Sequence, residues 1–231
     1  MLLGLAVTLP PALVLFSRLP GGGDVSPWLF FPDNLRFAAG TLNSVAPLLG
    51  AVLGASVVGS EYSLGTIGFL IALSGDRTRL FGAKALILGA YCFMTVCVVL
   101  AIWVGSATLC SIWLVDARQA TVPLVEGVAA TFALFLSLTF NGVLGMVGAT
   151  LARSEYGGVL VGAATLMLGR FPISQWLPQS QIANVECRLS RMSVMPCPAA
   201  SGASASLLWL TLYSAVIVAV GCVALKRQDL G

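Results

Sequence analysis

The feature that most constrains this chain is a succession of apolar runs joined by short polar segments, at 1–16, 37–58, 85–115, 122–151, 157–169 and 207–225. A helix needs ~20 apolar residues to cross a ~30 Å hydrocarbon core, so the chain has room for about six spans. Inside hydrocarbon each backbone N–H and C=O must be satisfied within its own segment, which selects helices over open strands. Only 9% of the 231 residues are charged, against roughly 25% in a soluble domain. The expected class is therefore an all-α integral membrane protein, with residues 1–231 forming one transmembrane domain.

Composition excludes several functions. There is no histidine, which removes Ser-His-Asp and Cys-His catalysis and imidazole metal ligands. No G-x-x-x-x-G-K-[ST] occurs, so the chain carries no P-loop of its own. The net charge is +3, but the basic residues are spread along the chain and form no stripe for nucleic acid. The six cysteines make no C-x-x-C pair. Cys92, Cys97, Cys110 and Cys222 lie in or near apolar runs and read as small hydrophobes. No catalytic residue, metal site or bound cofactor is expected on this chain.

One polar interruption has internal order. Residues 59–86 read GSEYSLGTIGFLIALSGDRTRLFGAKAL. Glu61 follows a long apolar run, and Gly65-Thr66 comes four residues later. An apolar patch, a turn at Ser74-Gly75-Asp76, Arg77, Arg79 and finally Lys84 complete it. Read as one helix, Glu61, Gly65, Gly68 and Ala72 share a slim face. Asp76 is placed to cap a helix starting near Arg77, and Arg77 and Arg79 fall in its first turn, where the helix dipole disfavours cations. The plainer reading is a membrane hairpin whose polar tip needs only solvation.

The order Glu61-x-x-x-Gly65-Thr66, an apolar patch, Ser74-x-x-Arg77 and Lys84 opening the next run resembles the first cytoplasmic loop of the ABC-2 type permeases. These are membrane subunits of ATP-driven exporters. The family often has a proline before this turn, where Leu73-Ser74-Gly75 stands here. Trp176-Leu177-Pro178 and the closing Lys226-Arg227-Gln228-Asp229 add to the likeness, which covers most of the chain from Phe37 onward. It implies a cytoplasmic coupling helix between spans 2 and 3, and a re-entrant outer segment between spans 5 and 6. Glu61, Gly65, Thr66, Ser74, Asp76, Arg77, Arg79 and Lys84 would then contact the ATPase. It also implies an ABC ATPase subunit in two copies that holds ATP and magnesium, and a second permease chain as homodimer or sister. Both termini would face the cytoplasm from the cell membrane.

The remaining residues offer fewer handles. The run at 1–16 contains Pro10-Pro11 and reads as a first span; it lacks the basic start and the cleavage site of a signal peptide. Trp28, Phe30 and Phe31 fit an interfacial aromatic belt. Gly50-x-x-x-Gly54 permits close helix contact and offers a packing surface for assembly of two permease chains. Glu126 lies a turn from its loop and can snorkel to water, whereas Asn141 is deeper and would bond across helices or contact substrate. Six spans place Arg77, Arg79, Lys84, Arg153, Lys226 and Arg227 on one side. Arg18, Arg36, Arg118, Arg170, Arg188 and Arg191 fall on the other, an even split from which charge alone sets no orientation. With the resemblance setting it, Cys187 and Cys197 lie in an oxidising outer loop, where they either form a disulfide or stay as two thiols.

The leading expectation is the permease subunit of an ABC exporter. An ion-coupled secondary transporter would show paired interrupted spans and intramembrane acids in corresponding halves, and no such repeat is visible. A membrane-embedded enzyme lacks a converging nucleophile and base. The Gly- and Ala-rich walls suit an amphipathic or lipid-like substrate.

Overall fold

The computed structural model describes residues 31–75, 77–114, 124–168, 178, 180–182, 184–185 and 202–227. Six helices organise them: α1 Phe31–Ser63, α2 Ile67–Ser74, α3 Arg77–Leu114, α4 Leu124–Ala152, α5 Glu155–Leu168 and α6 Ala203–Arg227. No strand occurs among the described residues. Four stretches are long and apolar enough to cross a membrane: Val45–Ser63 in α1, Thr78–Ile102 in α3, Thr131–Ala152 in α4 and Ser204–Ala224 in α6. The expected first span at 1–16 and the disulfide pair Cys187 and Cys197 lie outside the described residues.

The expected fifth span is α5, a helix of 14 residues. Over its described residues it extends ~21 Å at ~1.5 Å per residue, against a ~30 Å core. The helix expected to start near Arg77 does so: α3 begins at Arg77 and carries Arg79 and Lys84 near its start. Arginine and lysine are good helix formers whose aliphatic stems pack along apolar surface, so the three basic residues extend the helix instead of ending it.

The helices alternate in direction. Ala46 of α1 packs near Leu134 and Leu138 of α4, and Val58 near Met146 and Val147, so α1 and α4 run parallel. Phe140 meets Leu210, and Val147 lies against Gly221, so α6 runs the same way. α3 is antiparallel to α1, since Ala46 shares a cluster with Val96 and Val99 while Val58 shares one with Phe81. α5 returns beside α1 and α4, with Gly158 against Ala55 and Gly162 against Ala51. One end of the bundle thus gathers the end of α1, α2, the starts of α3 and α5, and the ends of α4 and α6. Arg79, Lys84, Arg153, Lys226 and Arg227 all lie there.

The tightest contact joins α1 to α4. A methyl group on Gly54 would overlap the carbonyl of Gly142, and one on Gly50 would come within 3.1 Å of Asn141 Cβ. Ala46, Ala51 and Ala55 of α1 are fully buried. Small residues let the two backbones approach, which maximises van der Waals contact where lipid supplies no hydrophobic drive. The Gly50–Gly54 surface, expected to be free for a second chain, is therefore consumed inside this chain. α4 is the central helix, with 61% of its membrane-length stretch buried, while α6 lies at the edge with 11%. Between α5 and α6, Gln181, Ile182, Asn184 and Val185 are helical and buried. Ile182 and Val185 pack on Phe140 and Leu210, and Asn184 Nδ2 donates to Ser206 Oγ at 2.7 Å.

This packing makes a contrast between two glycines. Gly54→Ala should cost roughly 1–3 kcal/mol, as overpacking does. Gly89→Ala on α3, where an added methyl meets nothing within 4 Å, should cost nothing and gain up to ~1 kcal/mol of helix propensity. Unfolding of the purified chain in detergent by graded addition of dodecyl sulfate measures both.

Candidate functional site

The candidate site is the charged end of the bundle where α1, α2 and α3 meet. α1 stops because Gly65 adopts the left-handed conformation, with φ +68°. The amide of Thr66 bonds the Glu61 carbonyl at 3.0 Å, and that of Gly65 bonds Tyr62 at 3.2 Å. These paired bonds complete a Schellman cap, which satisfies carbonyls the helix end leaves open. α2 then runs for eight residues, with Thr66 at its N-cap position, and ends at Gly75, φ +66°, whose amide bonds Ile71 O at 3.1 Å. Two left-handed glycines thus set α2 off from the long helices on either side.

The reversal at Gly65 corrects the expected slim face. Glu61 belongs to α1, whereas Gly68 and Ala72 belong to α2, and no continuous helix carries all four residues. α2 seats itself with the other side: Ile67 is buried, and Ile71 packs with it against Val58 and Phe81. Leu64, Phe69 and Leu73 face outward, each about 70% exposed.

The charges find each other across the turn. Lys84 is buried and pairs through Nζ with Glu61 Oε2. The same ammonium donates to the Val57 carbonyl at 3.0 Å. Glu61 sits in the last turn of α1, where the helix dipole disfavours a carboxylate, and Lys84, two turns into α3, is almost wholly buried. The contact between them offsets both costs. Beside the pair is a cleft of about 530 Å³ lined by Leu53, Ser56 and Glu61 of α1, Leu70 of α2, and Lys84, Ile87 and Tyr91 of α3.

The other sequence-singled residues divide. Thr66 and Ser74 bound α2, with Thr66 Oγ1 donating to Glu61 O at 3.5 Å. Arg79 is exposed. Arg77 is the first residue of α3; its side chain, and the whole of Asp76, lie outside what is described. Asn141 is fully buried at the α1–α4 crossing, where its Nδ2 donates to Ser137 O at 2.8 Å, and it does not line the cleft. The pairing of Glu61 with Lys84 was not read from the sequence, nor were Ser56, Ile87 and Tyr91 as walls. The available signal was one acid and one base flanking the same apolar patch on neighbouring runs.

Breaking the pair from either side should destabilise the chain. A fully buried ion pair that loses one partner costs ~3–5 kcal/mol. Glu61 keeps 22% of its side chain exposed and can rehydrate, so Lys84→Met should cost roughly 1–3 kcal/mol. In a double-mutant cycle with Glu61→Gln, the second substitution should add little once the first is made, leaving a coupling of ~1 kcal/mol or more; additive losses would show that the contact contributes nothing. Comparison with protein-family models, with curated proteins and with solved structures finds no significant match to this chain.

Proposed function

We propose that this chain is the transmembrane permease subunit of an ABC-2 type exporter. It would form the substrate path with a second permease chain and be driven by a separate ATPase subunit. The observation that carries the reading is α2. It is a short helix held between two apolar helices of membrane length, at the end of the bundle that carries Arg79, Lys84, Arg153, Lys226 and Arg227. Its exposed Phe69 and Leu73 form an apolar patch that water does not favour and that a partner surface can cover.

The coupling follows from how α2 is fixed. Ile67 and Ile71 wedge it against both α1 and α3, and Glu61 and Lys84 tie those two helices together beside it. Displacement of α2 by a partner therefore moves both long helices. The permease does no covalent chemistry. Nucleotide and magnesium belong to the ATPase, and transport needs only that substrate bind differently in the two states of the path. A second permease chain must dock elsewhere than Gly50 and Gly54, since α4 already covers them.

Two measurements test this reading. A cysteine placed at Ala72, exposed on α2, in a background without other cysteines, should resist impermeant reagent added outside sealed cells. Purification of the full chain from its native membrane should bring a P-loop ATPase with it. Phe69→Asp with Leu73→Asp should lower that association on the order of tenfold or more, a loss of ~1.4 kcal/mol, while insertion and yield stay unchanged. Gly68→Phe, placed where an added side chain meets nothing within the chain, should do the same by steric block; Gly65 is a poor site for such a probe because its backbone is left-handed. Labelling of Ala72→Cys from outside, or full ATPase association in both variants, overturns the proposal.

A further inference from the structure

The cleft between α1 and α3 has the form of a site for an amphiphile. Its polar end is the Glu61–Lys84 pair, near one end of the two membrane-length stretches. From Lys84 the groove continues along α3 to Tyr91, ~10 Å nearer the middle of the span at 1.5 Å per residue. Ile87 and Tyr91 at its mouth are 50% and 57% exposed. Both lie within Thr78–Ile102, so the groove opens sideways onto hydrocarbon. Its size is that of ordinary small-ligand sites, ~300–1,000 Å³.

The polar end specifies a head. Glu61 Oε2 is buried, and Lys84 is its partner. The other carboxylate oxygen, Oε1, has no partner among the described residues. Ser56 Oγ donates to Leu53 O at 2.9 Å, which leaves its lone pairs to accept. Both groups line the cleft, and each is an acceptor that calls for an N–H donor. Lys84 donates one proton to Val57 O and lies against Glu61 Oε2, which leaves donor capacity for an anionic oxygen. The pair as a whole is neutral, and burying a ligand of net charge against it is costly. A head that is itself neutral, with an ammonium at one end and a phosphate at the other, meets all three conditions.

We infer that the α1–α3 cleft binds an amphiphile with an aminoethyl phosphate head, its ammonium on Glu61, its phosphate toward Lys84 and its chain along Leu53, Ile87 and Tyr91. The inference rests on α1 and α3 crossing a membrane and not on the exporter reading. A chain that brings down no ATPase can still carry this site.

The test uses the full chain in phosphatidylcholine nanodiscs with a lysophosphatidylethanolamine bearing a photoreactive diazirine in its acyl chain. Cross-links mapped by mass spectrometry should concentrate on the peptides holding Leu53, Ile87 and Tyr91. Unlabelled lysophosphatidylethanolamine should compete at least tenfold better than lysophosphatidylcholine, whose methylated nitrogen donates no hydrogen bond, and than anionic lysophosphatidylglycerol. Glu61→Gln should cut labelling at least fivefold. Ile87→Trp, which fills the mouth and leaves the ion pair intact, should do so too, and keeps the test valid if the Glu61 variant folds poorly. Discs containing diacyl phosphatidylethanolamine separate the two sources of such a head: suppressed labelling identifies a bilayer lipid as the occupant, and undiminished labelling a single-chain amphiphile. Equal competition by lysophosphatidylcholine, labelling spread evenly along the lipid-facing residues of α6, or unchanged labelling of Ile87→Trp overturns the inference.

Discussion

The backbone-to-backbone approach of α1 and α4 at Gly54 and Gly142 is the contact on which the rest of the bundle depends. In lipid, apolar side chains gain nothing from leaving their surroundings, so helices hold together by close van der Waals contact and by polar bonds. Glycine gives the closest approach, and the fully buried alanines 46, 51 and 55 extend it along α1. α5 then fits beside the same two helices, again through glycine and alanine. α3 and α6 cover less of this core and keep long apolar faces turned outward, including Leu86, Phe93 and Met94 on α3 and Leu208, Leu212 and Val216 on α6. A bilayer accommodates those faces; water would not.

With α1 fixed to α4, the position of α3 is set by what lies at the charged end. Neither Glu61 nor Lys84 is at ease on its own helix, because Glu61 opposes the local dipole and Lys84 is almost wholly out of water. Together they satisfy one another, and the Val57 carbonyl takes a further proton from the ammonium. Such a pair is weak evidence for stability but a strong constraint on register, since sliding α3 by one turn along α1 would separate the charges. The same register opens the cleft. α2, held between two left-handed glycines, closes over one end of it through Leu70.

Much of this was legible in the sequence because a membrane helix must satisfy its backbone internally. The run of apolar residues then marks the element directly. The helices expected near 37–58, 122–151 and 207–225 appear as α1, α4 and α6, and the turn at Ser74-Gly75 appears as the end of α2. The expected continuous helix from Glu61 to Ala72 failed at one residue. Glycine is compatible with both a helical face and a left-handed cap, and spacing cannot tell them apart. The helix expected to start near Arg77 begins there as α3, and the apolar run expected at 85–115 forms its continuation.

By itself the sequence determined the class of the protein, its helical elements and the absence of residues for histidine- or P-loop-based chemistry. These follow from composition and local pattern, which act within a few residues. The tertiary structure decided which surfaces face each other. Gly50-x-x-x-Gly54 announced a close contact but not its partner, and that partner proved to be α4 of the same chain. Asn141 was visible as a polar residue in a span, yet only the fold placed it at that crossing and away from the cleft. Glu61 and Lys84 were both in view, but their union depends on α1 and α3 packing antiparallel in one register. Partner choice of this kind is a property of two surfaces in space, and no single segment of sequence contains it.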